Sequence, residues 1–263
     1  MPHVSLVFPP ALRSLCLAAS ATLLLSGCAI NAASTTAVRS PDFSGQTQTQ
    51  QQTTLGSLAA RYRSNPHDKG TVIYYAAALR AAGQPDQAVA VIEAGMVDNP
   101  NDIDIKVNYA KALSAAGRYE QALNVISDAI RPDAPDWSSL LVKGAVLDQM
   151  GRNGEARAAY TQALLIAPME PSLEANLGLS YAMTNNLTDA ETHLRKAAGM
   201  PGATSKIRQN LAFVVGLEGR FDEARTLFAA ELPPDEVDSN VAYIRSLLTQ
   251  QNRWTAIKGV AGH

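Results

Sequence analysis

The stretch GRFDEA at residues 219–224 recurs along the chain at a fixed interval. The equivalent stretches are GQPDQA at 83–88, GRYEQA at 117–122, GRNGEA at 151–156 and NNLTDA at 185–190. Each stretch starts 34 residues after the previous one and ends in alanine. Seven residues before each start lies another very small residue: Ala76, Ala110, Gly144, Gly178 and Ala212. A constant period with small residues at constant offsets indicates a repeated structural unit.

This pattern resembles the tetratricopeptide repeat (TPR), a helix–turn–helix unit of 34 residues. The first residue of each stretch would lie in the turn, where glycine adopts the left-handed conformation without steric cost. Asn185 is the next-best residue for that conformation. The resemblance implies an all-α fold, a right-handed TPR superhelix (an α-solenoid) of five helix-turn-helix repeats with flanking cap helices.

Placing the turn glycine at position fifteen defines the repeat boundaries, which fall at 69–102, 103–136, 137–170, 171–204 and 205–238. Positions eleven and twenty-four are apolar in every repeat, which predicts an inward stripe on each helix. A terminal repeat has an unpaired apolar face that needs a cap. We interpret segments of about 54–64 and 240–254 as cap helices, so that the TPR domain covers 54–257.

The first 27 residues predict a lipoprotein signal peptide. An apolar stretch at 15–25, short for a membrane span, leads into LSGC at residues 25–28. That motif resembles the bacterial lipobox, which implies cleavage before Cys28 and lipid attachment there, with acyl chains such as palmitate. The alternative is an ordinary secretory signal with a chance cysteine. Ala29, where enterobacterial inner-membrane lipoproteins carry Asp, favours the periplasmic face of the outer membrane.

Residues 28–53 follow this signal and are rich in Ser, Thr, Gln and Asn without an apolar period. This composition predicts a disordered tether behind the lipidated cysteine. A flexible segment of that length has an r.m.s. reach of roughly 25–30 Å.

Charge and motifs narrow the possible functions. The chain has 22 Lys and Arg against 24 Asp and Glu, and it has no long basic stripe, so we expect no nucleic-acid binding. The motifs GxSxG, HExxH, GxxxxGK[ST] and CxxC are absent. The histidines are expected to be exposed, and none has ligands at metal-binding spacing. We therefore expect no catalysis, no cofactor and no metal, but a protein partner.

By TPR geometry the first helices line a concave groove, which should pass from charged to apolar along the chain. Its charged residues would be Arg80, Asp104, Lys111 and Asp148, and its apolar residues Leu179, Met183, Phe213 and Leu217. An apolar strip of this kind favours binding of an extended segment or a partner helix. The alternative is that the C-terminal helix, or crowding within the superhelix, covers the strip.

Position six carries Asn108, Asn176 and Asn210. In some TPR domains such asparagines hold a peptide backbone or a terminal carboxylate with help from a lysine, and Lys206 lies on the same helix face as Asn210. Asparagine is also common at this position in TPR domains that have no such clamp.

The last third of the chain resembles a more specific family. Residues 208–217 read RQNLAFVVGL, 219–224 read GRFDEA, 232–234 read LPP and 240–245 read NVAYIR. This run is similar to the C-terminal part of the TadD family, the TPR lipoproteins of the Tad (Flp) pilus assembly system. The resemblance implies a role at the outer membrane in assembling or localising a secretin, the ring through which the pilus is exported.

Three other functions remain open from the sequence. The first is a subunit for outer-membrane protein insertion, and the second is an adaptor for cell-wall hydrolases. The third, from a different class, is an enzyme with a polar catalytic residue in the groove.

Overall fold

The computed structural model describes residues 41, 43 and 46–261, with side chains described as far as residue 250. Every regular element in those residues is an α-helix, as predicted. The helices are α1 (Gln48–Ser64), α2 (Lys69–Ala81), α3 (Pro85–Met96), α4 (Ile103–Ala115), α5 (Tyr119–Ala129), α6 (Trp137–Gln149), α7 (Asn153–Ile166), α8 (Pro171–Met183), α9 (Leu187–Ala198), α10 (Ser205–Leu217), α11 (Phe221–Ala229) and α12 (Pro234–Ala261). The signal peptide, Cys28 and Ala29 lie outside the described residues.

The chain divides into two compact units. Unit 1 ends at Arg131 and contains α1 to α5, hence the first two repeats. Unit 2 starts at Pro132 and contains α6 to α12, hence the last three repeats. Within each unit, every helix packs against its sequence neighbour in a repeat, and first helices of adjacent repeats also touch.

The turns follow the predicted register in all five repeats. First helices begin at position one and second helices at position seventeen throughout. The turn residues Gly83, Gly117, Gly151, Asn185 and Gly219 all have positive φ, from 59° at Asn185 to 84° at Gly219. The next residue donates its N–H to the carbonyl at position eleven, as from Gln84 to Leu79 at 2.9 Å. This Schellman hydrogen bond satisfies helix carbonyls that would otherwise lack a donor.

A second series with the same period marks the starts of the first helices. The N-cap residues are Asp68, Asp102, Asp136, Glu170 and Thr204, and the side chain of each accepts a hydrogen bond from a backbone N–H of the first turn. Such caps satisfy free N–H groups, and the carboxylates also interact favourably with the helix dipole. The turn glycines and these caps therefore fix both ends of each first helix locally.

Both flanking helices are longer than predicted. Helix α1 begins at Gln48, so residues 48–53 of the predicted tether are helical; Thr47 and Gln50 form a reciprocal capping box there. Residues 48–53 are polar, so the sequence shows no apolar helical period there. Helix α12 begins at Pro234, because Pro233 and Pro234 suit a helix start but not its interior. The last residues of the fifth repeat therefore belong to α12.

The small residues at position eight bring paired helices close together. A Cβ added to Gly178 of α8 would lie 2.9 Å from the Ala190 carbonyl oxygen and 2.9 Å from Leu194 Cγ, both on α9. Real Cβ atoms do not approach a backbone that closely. Glycine is therefore required for the observed spacing of α8 and α9.

Candidate protein-binding surface

Helix α8 of unit 2 presents one half-buried stripe toward solvent. Ser172, Asn176, Leu179 and Met183 are spaced by four, three and four residues, and each is partly exposed. Several residues on the other faces of α8, among them Leu173, Leu177 and Gly178, are buried. The stripe thus contains three of the predicted partner-binding residues on one helix face.

Helix α10 carries the next stripe, and α8 and α10 contact each other. Lys206 is exposed, and Asn210, Phe213 and Leu217 are half-buried. Together the two stripes form a surface with apolar and amide groups and the single cation of Lys206. We call these residues of α8 and α10 the α8–α10 surface.

Part of this surface is used inside unit 2. Phe213 and Leu217 pack against an apolar cluster that contains Val237, Val241 and Ile244 of α12. The Phe213 ring stacks on Tyr243 of α12 with centroids 6.5 Å apart. The C-terminal helix therefore covers part of the predicted strip at Phe213 and Leu217, while Leu179 and Met183 on α8 are half-buried.

The three position-six asparagines differ in their surroundings. Asn176 donates from Nδ2 to the Ser172 carbonyl oxygen at 2.7 Å and stays partly exposed. Asn108 in unit 1 makes the same bond to the Asp104 carbonyl oxygen at 2.8 Å but is only 3% exposed. Its Oδ1 atom is buried and has no hydrogen-bond partner. Because Asn108 offers no surface to a partner, we leave it out of the α8–α10 surface.

The charged residues predicted for the groove have partners within the protein. Lys69 of α2 lies 2.7 Å from carboxylate oxygens of both Asp102 and Asp104, which links the two repeats of unit 1. Arg80 and Lys111 also take part in interactions. Of the predicted groove charges, Asp104 is therefore part of an ion pair within unit 1.

Asp148 was expected to line the groove, but the structure buries it, with 6% exposed. Its carboxylate accepts hydrogen bonds from Tyr160 Oη at 2.9 Å, Ser180 Oγ at 2.7 Å and Asn153 Nδ2 at 2.8 Å. Burial raises the pKa of Asp148 above its usual range, although these hydrogen bonds oppose the increase. Asp148 is thus a structural link between α6, α7 and α8 and not a groove charge.

A second buried carboxylate, Glu174 of α8, was not identified from the sequence. The residue is 1% exposed, and its oxygens lie 2.7 Å from His193 Nδ1 and 2.6 Å from Lys196 Nζ, both on α9. Burial alone would raise the pKa of Glu174, but the hydrogen bonds with Lys196 and His193 outweigh it and lower the pKa. His193, expected to be exposed, is half-buried and stacks on Tyr181.

Two features are absent from the residues that the structure describes. No group of three or more His, Cys, Asp or Glu side chains there is arranged to hold a metal ion. None of the described helices has the length and apolar character needed to cross a membrane.

Comparisons with known proteins agree with the repeat geometry. Two family models, both described as tetratricopeptide repeat, match residues 79–143 and 141–204. No curated protein sequence matches the chain significantly. The matched segments, the 34-residue helix–turn–helix geometry and the left-handed turn residues identify the class: this is a tetratricopeptide-repeat protein.

Solved structures share the fold. A thermophilic TPR protein of Thermus thermophilus is 22% identical with a TM-score of 0.59, covering 69% of this chain and 97% of its own. PilW, a widely conserved type IV pilus biogenesis factor, is 17% identical with a TM-score of 0.58, covering 76% and 91% respectively. A chain of the APC/C hetero-tetramer Cut9–Hcn1 is matched at 14% identity and a TM-score of 0.59, covering 80% of this chain and 41% of its own. At these identities the similarity concerns the fold.

Proposed function

We propose that this protein is a non-catalytic TPR lipoprotein of the outer membrane that supports biogenesis of a Tad (Flp) pilus. In this proposal Cys28 carries the lipid, and the TPR domain binds a segment of the secretin or of another assembly component. The observation that carries the proposal is the sequence similarity of residues 208–248 to the TadD family, combined with the lipobox at 25–28. TPR repeats favour protein–protein interaction in general.

The α8–α10 surface is the proposed contact. Leu179 and Met183 offer apolar area, Asn176 and Asn210 offer amide groups for a peptide backbone, and Lys206 offers the cation. Phe213 and Leu217 would contribute only the area that α12 leaves uncovered. Such a surface suits a segment with apolar side chains and a free backbone or terminal carboxylate.

Lipid anchoring at Cys28 would hold the protein at the membrane. One acyl chain binds a bilayer marginally and two suffice, since each buried CH₂ contributes about 0.8 kcal/mol. Tethering at the membrane would also raise the effective concentration of the surface near a membrane-embedded partner. PilW, described as a type IV pilus biogenesis factor, has this fold, so the fold is compatible with a role in pilus biogenesis. Because a shared fold does not establish a function, the proposal rests on the sequence similarity.

The experiment is a gene deletion complemented with variants of the full chain. Deletion should abolish surface pili and reduce secretin multimers, and the natural gene should restore both. Leu179→Ser should restore them poorly and lose a crosslink to the secretin. Val97→Ser is the matched control, because Val97 is an exposed aliphatic residue outside the surface (81% exposed). Normal pili and normal secretin multimers after deletion would reject the proposal.

The anchor is tested separately. Cys28→Ser should leave the helical content unchanged and release the protein into the soluble periplasmic fraction. If this variant still fractionates with the outer membrane, Cys28 is not the anchor.

A further inference from the structure

One exposed apolar patch in unit 2 lies at the end of α7. Leu165 is 83% exposed, Met169 64% and Ile166 43%. These three residues, which we call the 165–169 patch, flank the exposed Pro168 in the turn that leads to α8. None of them belongs to the α8–α10 surface.

The other repeats provide internal controls for this patch. The equivalent positions twenty-nine, thirty and thirty-three carry Val97, Asp98 and Asn101 in the first repeat. They carry Arg131, Pro132 and Pro135 in the second, and Gly199, Met200 and Ala203 in the fourth. Only the third repeat has three large aliphatic or thioether side chains there. The TPR fold therefore does not require this apolar set.

Three observations favour a lipid bilayer over a protein as the occupant. The patch consists of three residues, whereas each partner of a stable protein interface contributes about 20–30 residues and roughly 800 Å². It contains no Trp, Tyr or Arg, the residues that dominate binding energy at protein interfaces. Residues 158–169 carry no charge, in a chain with 17% charged residues. The exposed side chains of this segment, between Arg157 and Glu170, can therefore enter hydrocarbon without desolvating an ion of their own.

We propose that the 165–169 patch inserts into the outer part of the bilayer and holds unit 2 against the membrane. The inference rests on the proposed lipid anchor, because such a small patch needs the anchor to keep it near the bilayer. The ligand is the acyl region of the lipid. Leu165 and Met169 are the inserting side chains, and Ile166, being less exposed, supports them.

The test places a fluorescent label on single cysteines of the acylated full-length protein in vesicles. Leu165→Cys reports the patch, and Val97→Cys is the matched control, since Val97 is 81% exposed at the equivalent repeat position. In the anchored protein the Cys28 thiol is blocked and Cys16 is removed, so the new cysteine carries the only free thiol. The vesicles contain phosphatidylethanolamine and phosphatidylglycerol with brominated acyl chains, which quench fluorescence on contact.

The inference predicts quenching at position 165 at least about twofold stronger than at position 97, because insertion brings the label among the acyl chains. Equal quenching at both positions, in a protein that floats with the vesicles, would overturn the inference and leave the anchor intact. Oxidative disulfide formation between two unlabelled Leu165→Cys copies, in a protein whose label is not quenched, would also overturn it, in favour of a second copy. Failure to float with the vesicles would overturn the anchor and this inference with it.

Discussion

Unit 1 and unit 2 pair their helices with different side chains at the same repeat positions. In unit 1, position eight is Ala76 or Ala110, and position twenty-four is Ile92 or Ile126. In unit 2, Gly144 faces the Tyr160 ring, where an added Cβ would lie 2.4 Å from Cε1. In the third repeat a glycine at position eight therefore accompanies a large ring at position twenty-four, whereas unit 1 pairs alanine with isoleucine at these positions.

The buried polar groups differ in the same way. The Asn108 side chain in unit 1 makes one bond to its own helix and leaves an acceptor unpaired. In unit 2 Asp148 accepts three hydrogen bonds from other side chains, and Glu174 is paired with two cationic or ionisable groups. Buried charges destabilise strongly when one partner is removed. Unit 2 should therefore be the more sensitive of the two to substitution of polar core residues.

The largest expected effect is steric. Gly178→Leu should destabilise unit 2 by about 3 kcal/mol or more, because the side chain would collide with the α9 backbone at Ala190. Chemical denaturation measures the change. Gly154→Leu is the matched control, since a Cβ there meets nothing within 4 Å. A wild-type unfolding midpoint for Gly178→Leu would show that α8 and α9 are not this close.

The second-largest effect is the loss of stability when a buried polar residue is replaced, which should differ between the two units. Asp148→Ala leaves three donors without their acceptor and should cost about 3 kcal/mol. Asn108→Ala removes one hydrogen bond together with an unpaired acceptor and should cost about 1 kcal/mol. Both free energies of unfolding come from urea titrations. Equal losses would contradict the difference we infer between the units.

A pH titration sharpens the role of Asp148. Its folded-state pKa is raised by burial, so the folded protein binds this proton more tightly than the unfolded chain. The stabilisation by protonation is complete below the unfolded pKa of about 3.9 and is lost as the pH rises through the folded pKa. The stability of wild type relative to Asp148→Asn should therefore fall as the pH rises above about 4. An increase over that range would contradict the direction of the shift.

The smallest effect concerns ion pairs at the second helices and in the turns that precede them. Glu191 in unit 2 lies 2.6 Å from Arg195 and 2.8 Å from Arg220, whereas Asp86 in unit 1 pairs with Arg118 alone and is 76% exposed. Glu191→Gln should cost at most about 1 kcal/mol, with a smaller loss for Asp86→Asn. Both losses should shrink in 1 M salt, where the Debye length is about 3 Å, and the loss at the exposed Asp86 should shrink more than the loss at Glu191. Losses that persist in salt would point to packing instead of charge.

The repeat geometry could be predicted because its signals are local. Glycine or Asn185 at position fifteen gives the left-handed turn. The N-cap series is equally visible in the sequence at its 34-residue period. The start of α1 was missed because its first residues are all polar, so they show no apolar face. The capping box at Thr47 and Gln50 is not followed directly by apolar residues that would mark a helix.

The candidate surface was predicted less completely. Asn176, Leu179 and Met183 share a stripe because all three belong to one helix with a known period. The burial of Asn108 and Asp148 could not be seen from the helix period alone, since neighbouring helices supply the atoms that cover them. The coverage of Phe213 by Tyr243 joins residues 30 positions apart in sequence.

The sequence by itself determined the period, the helix ends and the turn conformations of this protein, because each depends on the backbone preference of a few adjacent residues. Only the tertiary structure decided which polar groups are buried and paired, which part of α10 lies under α12, and which apolar side chains stay in solvent. Those outcomes depend on contacts between atoms of separate helices. Whether a polar group is buried, and whether it has a hydrogen-bond partner, is decided by the neighbouring helices.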